Sequence, residues 1–142
     1  MKTFNLLLIA LLLAFSPAYS LSARAQNVCN KLSEDEVAAA VGTPLKRSPT
    51  NPCRFGFAFK SFSIIIHAGD GPRFADYAAN ARREFKDTQT VSGIGSEAIF
   101  FGFNLAVKAK GDVIFIQMLM GHSADEKIRL SKAVVQALLN HY

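Results

Sequence analysis

From Leu105 to Lys110 apolar and mixed positions alternate, with Leu105, Val107 and Ala109 set against Ala106, Lys108 and Lys110. A period of two predicts a strand with one core face. Lys110-Gly111-Asp112 is a turn signal. Beyond it, Val113 to Met120 is apolar on both faces apart from Gln117, the pattern of a central strand covered on both sides. Glu97 to Met120 as a whole, rich in aromatic and β-branched residues, predicts an antiparallel meander of up to three strands. Upstream, Phe55, Phe57 and Phe59 alternate with Arg54, Gly56, Ala58 and Lys60. That predicts a half-buried strand with its phenylalanines in the core. Phe62, Ile64 and Ile66 continue the pattern into a second strand through a turn near Lys60-Ser61.

Three stretches carry the helical period instead. Ser33 to Val41 opens with a capping box, Ser33 with Glu36, and a hydrophobic staple, Leu32 with Val37. Gly42 ends it, and Pro44 prevents it from resuming. Within Arg73 to Asp87, Phe74, Ala78, Ala81 and Phe85 recur at spacings that line one apolar face. A second capping box, Ser123 with Glu126, opens a helix running to the C-terminus, where Ile128, Val135, Leu138 and Tyr142 form a stripe. The order α-β-β-α-β-β-β-α predicts an α+β domain with a mostly antiparallel five-stranded sheet packed with three helices.

The N-terminus does not fit that domain. Met1-Lys2 is basic, Leu6 to Phe15 is apolar, Pro17 breaks the run and Ala23-Arg24-Ala25 supplies a small-x-small cleavage pattern. This predicts a secretory signal peptide over residues 1–25, with Ala18-Tyr19-Ser20 as the second cleavage candidate. The apolar run is about half the length needed to span a bilayer, so no transmembrane segment is expected after cleavage. Of 16 basic residues, Lys2 and Arg24 fall in the leader, leaving 14 against 11 acidic and a net charge of +3. The remaining cations are scattered without a basic stripe, which argues against nucleic acid. Cys29 and Cys53 are the two cysteines. In an oxidising compartment they predict a disulfide, since neither redox C-x-x-C spacing nor metal-ligand histidines accompany them.

Candidate chemistry is sparse, and no cofactor or metal is expected. Gly93-Ile94-Gly95-Ser96-Glu97-Ala98 matches a dinucleotide fingerprint, but no strand precedes it and no helix opens within it, so a bend into the meander is the better reading. No serine sits in a nucleophile elbow. His141, near the C-terminus, is expected in solvent. His67 and His122 each stand where a strand hands over to a helix. Were those strands parallel, both histidines, Arg73 and Ser123 would gather at one sheet end beside two helix N-termini, a setting for a small anion.

Larger features carry a resemblance. Cys29 precedes a short helix ending at Val41-Gly42, Cys53-Arg54-Phe55 starts an aromatic strand, and Val91-Ser92-Gly93-Ile94-Gly95 leads through Ala98 into a strand pair and a final helix. The chain resembles a family of small exported bacterial proteins of unknown function that includes many actinobacterial lipoproteins. It is also similar to the extracellular sensor domain of some bacterial receptor kinases. It departs from the lipoprotein form, because Gln26-Asn27-Val28 lacks the small residues that precede a lipidated cysteine. The resemblance implies a Cys29–Cys53 disulfide and a binding or sensing role in the periplasm or outside the cell. The expected function is a non-enzymatic binding module for an envelope protein or a small anionic ligand. The alternatives are a small hydrolase or transferase working near His67 and His122, and a carrier of an apolar ligand.

Overall fold

A computed structural model describes residues 22–142, so the expected leader falls outside it except for residues 22–25. Among the described residues the elements are helix α1 (Ala23–Lys31), helix α2 (Glu34–Val41), β1 (Lys46–Arg47), β2 (Arg54–Phe57), β3 (Lys60–His67), a 3-10 turn (Gly71–Arg73), helix α3 (Phe74–Glu84), β4 (Gln89–Thr90), β5 (Glu97–Phe101), β6 (Asn104–Ala109), β7 (Asp112–Met118) and helix α4 (Ala124–Leu139). All strands join one antiparallel sheet in the order β1-β2-β3-β7-β6-β5-β4. The α+β class and the antiparallel sheet match the sequence pattern. The count differs, with seven strands and four helices in place of five and three. Helix α1 is the added helix, and its first turn is the Ala23-Arg24-Ala25 triplet. The added strands, β1 and β4, are two residues each and extend the sheet at its edges.

Alternation along each strand divides the side chains between two layers. Phe62, Ile64 and Ile66 of β3, Ile114, Ile116 and Met118 of β7, and Leu105 and Val107 of β6 join the larger core with Val28, Val37, Val135 and Leu138. Helices α1, α2 and α4 cover that face. On the other face Ile99, Ala106 and Val113 meet Phe74, Ala78 and Ala81 of α3 in a smaller core. Strand β7 is therefore covered on both sides over most of its length, as its apolar run predicts. The second face of β2 and β3 is open: Arg54, Ile65 and His67 are exposed there.

Local signals place the helix starts. Ser33 and Glu36 form the full capping box, the Ser33 hydroxyl accepting from the Glu36 N–H and the Glu36 carboxylate from the Ser33 N–H. At α4 the box is displaced by one residue. The Ser123 hydroxyl accepts from the Glu126 N–H, but the Glu126 carboxylate accepts from the His122 N–H. His141 is not free in solvent; its Nε2 lies 2.8 Å from Glu36 Oε1 and ties the C-terminus to α2. Glu34 accepts from the Arg47 N–H and from Lys46 Nζ, joining α2 to β1.

Each of these three carboxyls is held below its ordinary value of 4.5, in each case first by the backbone N–H it accepts, from Arg47, Ser33 and His122 for Glu34, Glu36 and Glu126. An acid depressed on folding adds stability above its unfolded pKa, and that stability disappears as pH falls through the folded value. The urea midpoint is expected to fall steadily once pH drops below about 4.5 and to respond little to these groups between pH 5 and 7. A midpoint unchanged down to pH 3 would contradict the contribution of these contacts.

Candidate functional site

The antiparallel pairing of β3 with β7 disposes of the shared histidine site. His67 pairs with Val113 at the start of β7, whereas His122 follows Met118 at its end. About 17 Å of strand separates those two positions. Sequence pattern identifies strands but not their relative direction, and the expected cluster required a parallel pair. Arg73 stays at the His67 end in an exposed pair with Asp76 at 3.9 Å, while Ser123 is occupied as the cap of α4. His67 instead packs on Tyr77 and Phe115, with ring centroids 5.7 and 5.3 Å away. The Tyr77 hydroxyl donates to Asp70 at 2.7 Å. Burial, then the Asp70 carboxylate, pushes the Tyr77 hydroxyl pKa up. This group anchors α3 to the sheet. Ser96 is likewise occupied, donating to the Lys108 carbonyl. Among the described residues no three His, Cys, Asp or Glu side chains gather as a metal site.

The Gly93-Ile94-Gly95 stretch is the bend its sequence context implies. Gly95 has φ 58°, and a Cβ there would lie 2.5 Å from the Lys108 carbonyl oxygen. Glycine is needed for the backbone to pass this close to β6.

The feature that the alternation rule misplaces lies at the opposite sheet end. Phe55 is fully buried and stacked on Phe62, with centroids 5.2 Å apart. Phe57 and Phe59 were expected to continue that core. The chain turns at Ala58-Phe59, two residues before the expected Lys60-Ser61, and pairs Phe57 with Lys60. Phe57 is left 65% exposed and Phe59 100% exposed. Ala58 takes φ 54°, the left-handed conformation that hairpin turns normally assign to Gly, Asn or Asp. A strained alanine beside a fully solvated phenylalanine contradicts local preference twice within two residues.

This hairpin tip does not stand alone. Strands β2, β5 and β7 end, and β3 and β6 begin, at the same edge of the sheet. Exposed Phe103 occupies the β5–β6 turn, and exposed Leu119 follows β7, its N–H donating to the Ser61 carbonyl at 2.9 Å. Phe85, at the end of α3, contacts Phe101 with ring centroids 5.2 Å apart. Among the described residues, five of the six exposed large apolar side chains, all but Ile65, gather at this end. Scattered exposed apolar residues are ordinary, whereas a concentration of this kind marks an interaction surface.

Two clefts flank the tip. One, about 570 Å³, is bounded by Thr43, Pro44 and the aliphatic stem of Lys46 against Phe57, Ala58 and Phe59. The other, about 500 Å³, has Gly56 on its wall with Lys46, Arg54 and Lys60 around it, and no carboxylate lines it. Lys46 is engaged by Glu34 at 3.0 Å, while among the described residues neither Arg54 nor Lys60 pairs with an acid. The arrangement offers apolar contact and uncompensated positive charge side by side. The signal available in the sequence was Arg54 and Lys60 bracketing a phenylalanine run; the position of the turn decided its meaning.

No protein-family profile, curated protein or solved structure matches the chain. Among the described residues no helix is long and apolar enough to cross a membrane.

Proposed function

We propose that the chain is a non-enzymatic, exported binding module of the bacterial cell envelope and that it meets its target with the Phe57–Phe59 hairpin end. The observation that carries this reading is Phe59, fully exposed beside the strained Ala58. Folding alone favours an Asn-Gly or Asp-Gly turn there, so contact with something outside the chain is the reason to place an aromatic at the tip. The Cys29–Cys53 disulfide supports an oxidising compartment. The hydrolase or transferase alternative loses its motivation, since His67 and His122 stand at opposite ends of the sheet. The carrier alternative is weakened because Phe55, Phe62 and Phe100 are filled core.

Cells producing the protein with a photo-activated cross-linking residue in place of Phe59 are expected to yield a specific adduct on illumination. The same residue in place of exposed Ala79 on α3 is expected to yield none. Absence of an adduct at position 59, or equal adducts at both positions, would overturn the reading.

A further inference from the structure

Building on that binding-module reading, we propose that the target is an anionic lipid surface, with Phe57 and Phe59 entering the apolar boundary while Lys60 and Arg54 hold lipid phosphates. The apolar groups sit at strand ends and turns and are exposed, Phe59 without any covering atoms. A protein partner would need a pocket matched to each of them, whereas a bilayer receives a protruding aromatic without a preformed cavity. Aromatic rings with an adjacent cation are suited to the headgroup boundary, where the ring is buried and the charge stays wet. Lys60 follows Phe59 directly, and its long stem lets the ammonium reach back to the phosphate level.

Charge selects the kind of surface. The concavity beside the tip is lined by Lys46, Arg54 and Lys60 without a carboxylate, and among the described residues Arg54 and Lys60 have no acidic partner. Gly56 keeps this wall low; a Cβ there would crowd the Ser61 side chain at 3.2 Å. The hollow is large enough for a phosphate headgroup. Across the same end, Phe103 supplies a second apolar contact about 10 Å from β3, two strand spacings away, with Leu119 between them on the intervening strand. Two separated contacts would stand the sheet with its strands directed toward the bilayer. The Phe85 corner carries mixed charge, Arg82, Arg83 and Lys86 with Glu84 and Asp87, and adds no selectivity. Neither the aromatic pair nor the few cations would anchor the protein firmly alone. Membrane attachment of this kind takes an apolar and an electrostatic component together.

Flotation of the exported, disulfide-bonded protein with phosphatidylcholine vesicles, with and without 30 mole per cent phosphatidylglycerol, tests this. Binding is expected to be at least about tenfold tighter to the anionic vesicles and to weaken with added salt. Each cation near an anionic surface accounts for about a fivefold change, so R54E/K60E is expected to lose more than about 25-fold. F57S/F59S is expected to lose at least about tenfold through the apolar component. All four side chains are exposed, so both variants should fold, and an unchanged thermal midpoint verifies that. Equal binding to both vesicle types, no binding to either, or full binding by F57S/F59S would overturn the lipid proposal. A protein adduct at position 59 without vesicle binding would leave the binding module standing and remove the lipid; loss of both signals would remove both.

Discussion

Replacing Cys29 and Cys53 together by alanine is expected to lower the unfolding free energy by about 3 kcal/mol. The two residues are 24 apart in sequence, both are fully buried, and the bond fastens α1 to the start of β2. Breaking it frees a loop of that length in the unfolded chain and leaves a defect where the helix meets the sheet. Arg47 makes the junction cooperative. Its guanidinium donates to the carbonyls of Cys29, Leu32 and Pro52 and lies over the Phe55 ring, 4.8 Å from its centroid. Those carbonyls lie at the end of α1, in the residue that follows it, and just before Cys53. Loosening the disulfide therefore also loosens the only cation that gathers them among the described residues. Urea unfolding should show the midpoint falling by about 1 to 3 M, given the usual slopes for a domain of this size. The parent protein under reducing conditions should follow the double variant. Coincident curves for oxidised and reduced protein would sink the expectation.

The accuracy of a sequence reading here follows the range of the interactions that decide each feature. Capping at Ser33 and the apolar face of α3 depend on residues within one or two turns. The cap is present, and so is the face at Phe74, Ala78 and Ala81, but Phe85, expected to extend it, lies past the helix end and is exposed. The meander depends on alternation and on two turns, at Gly102-Phe103 and at Lys110-Gly111, of which the sequence reading marked the second; it too is present. The hairpin tip fails because Phe55, Phe57 and Phe59 alternate in an unbroken pattern, while the turn sits at Ala58 without a glycine to mark it. The pattern thus ran on through the very residues that leave the core. Helix α1 was hidden because Ala23-Arg24-Ala25 satisfies a peptidase pattern as well as it satisfies a helix. Strands β1 and β4 are too short to show a period. The direction of β3 relative to β7, on which the histidine site depended, has no local signature at all. The partners of Arg47 and Asp112 come from distant segments and are equally silent in the sequence.

On the proposed export reading, amino-terminal sequencing of the mature chain is expected to begin at Leu21, after the Ala18-Tyr19-Ser20 triplet, rather than at Gln26. The stability of two recombinant chains starting at these residues should explain why. Ser22 caps α1, its hydroxyl accepting from the Ala25 N–H at 3.1 Å, and Ala25 is fully buried. Arg24 Nε lies 3.3 Å from the buried carboxylate of Asp112, which also accepts from the Gly69 N–H and the Tyr142 hydroxyl. The Arg24 guanidinium in turn lies 5.4 Å from the centroid of the Tyr142 ring. Burial, followed by the hydrogen bond to Asp112, pushes the Tyr142 hydroxyl pKa far up, so it remains a donor across the physiological range. A chain beginning at Gln26 loses the cap, the buried methyl group and the cation facing Asp112. It also places a charged amino group at the positive end of the shortened helix. The cap and the methyl group are each worth about 1 kcal/mol. The ion pair is worth no more than about 1 kcal/mol because Arg24 is half exposed. Together they predict a chain from Gln26 about 2 to 3 kcal/mol less stable than one from Leu21, with R24A in the longer chain reproducing no more than about a third of that loss. Equal stability of the two chains, with sequencing that begins at Gln26, would show that the first turn of α1 belongs to the leader.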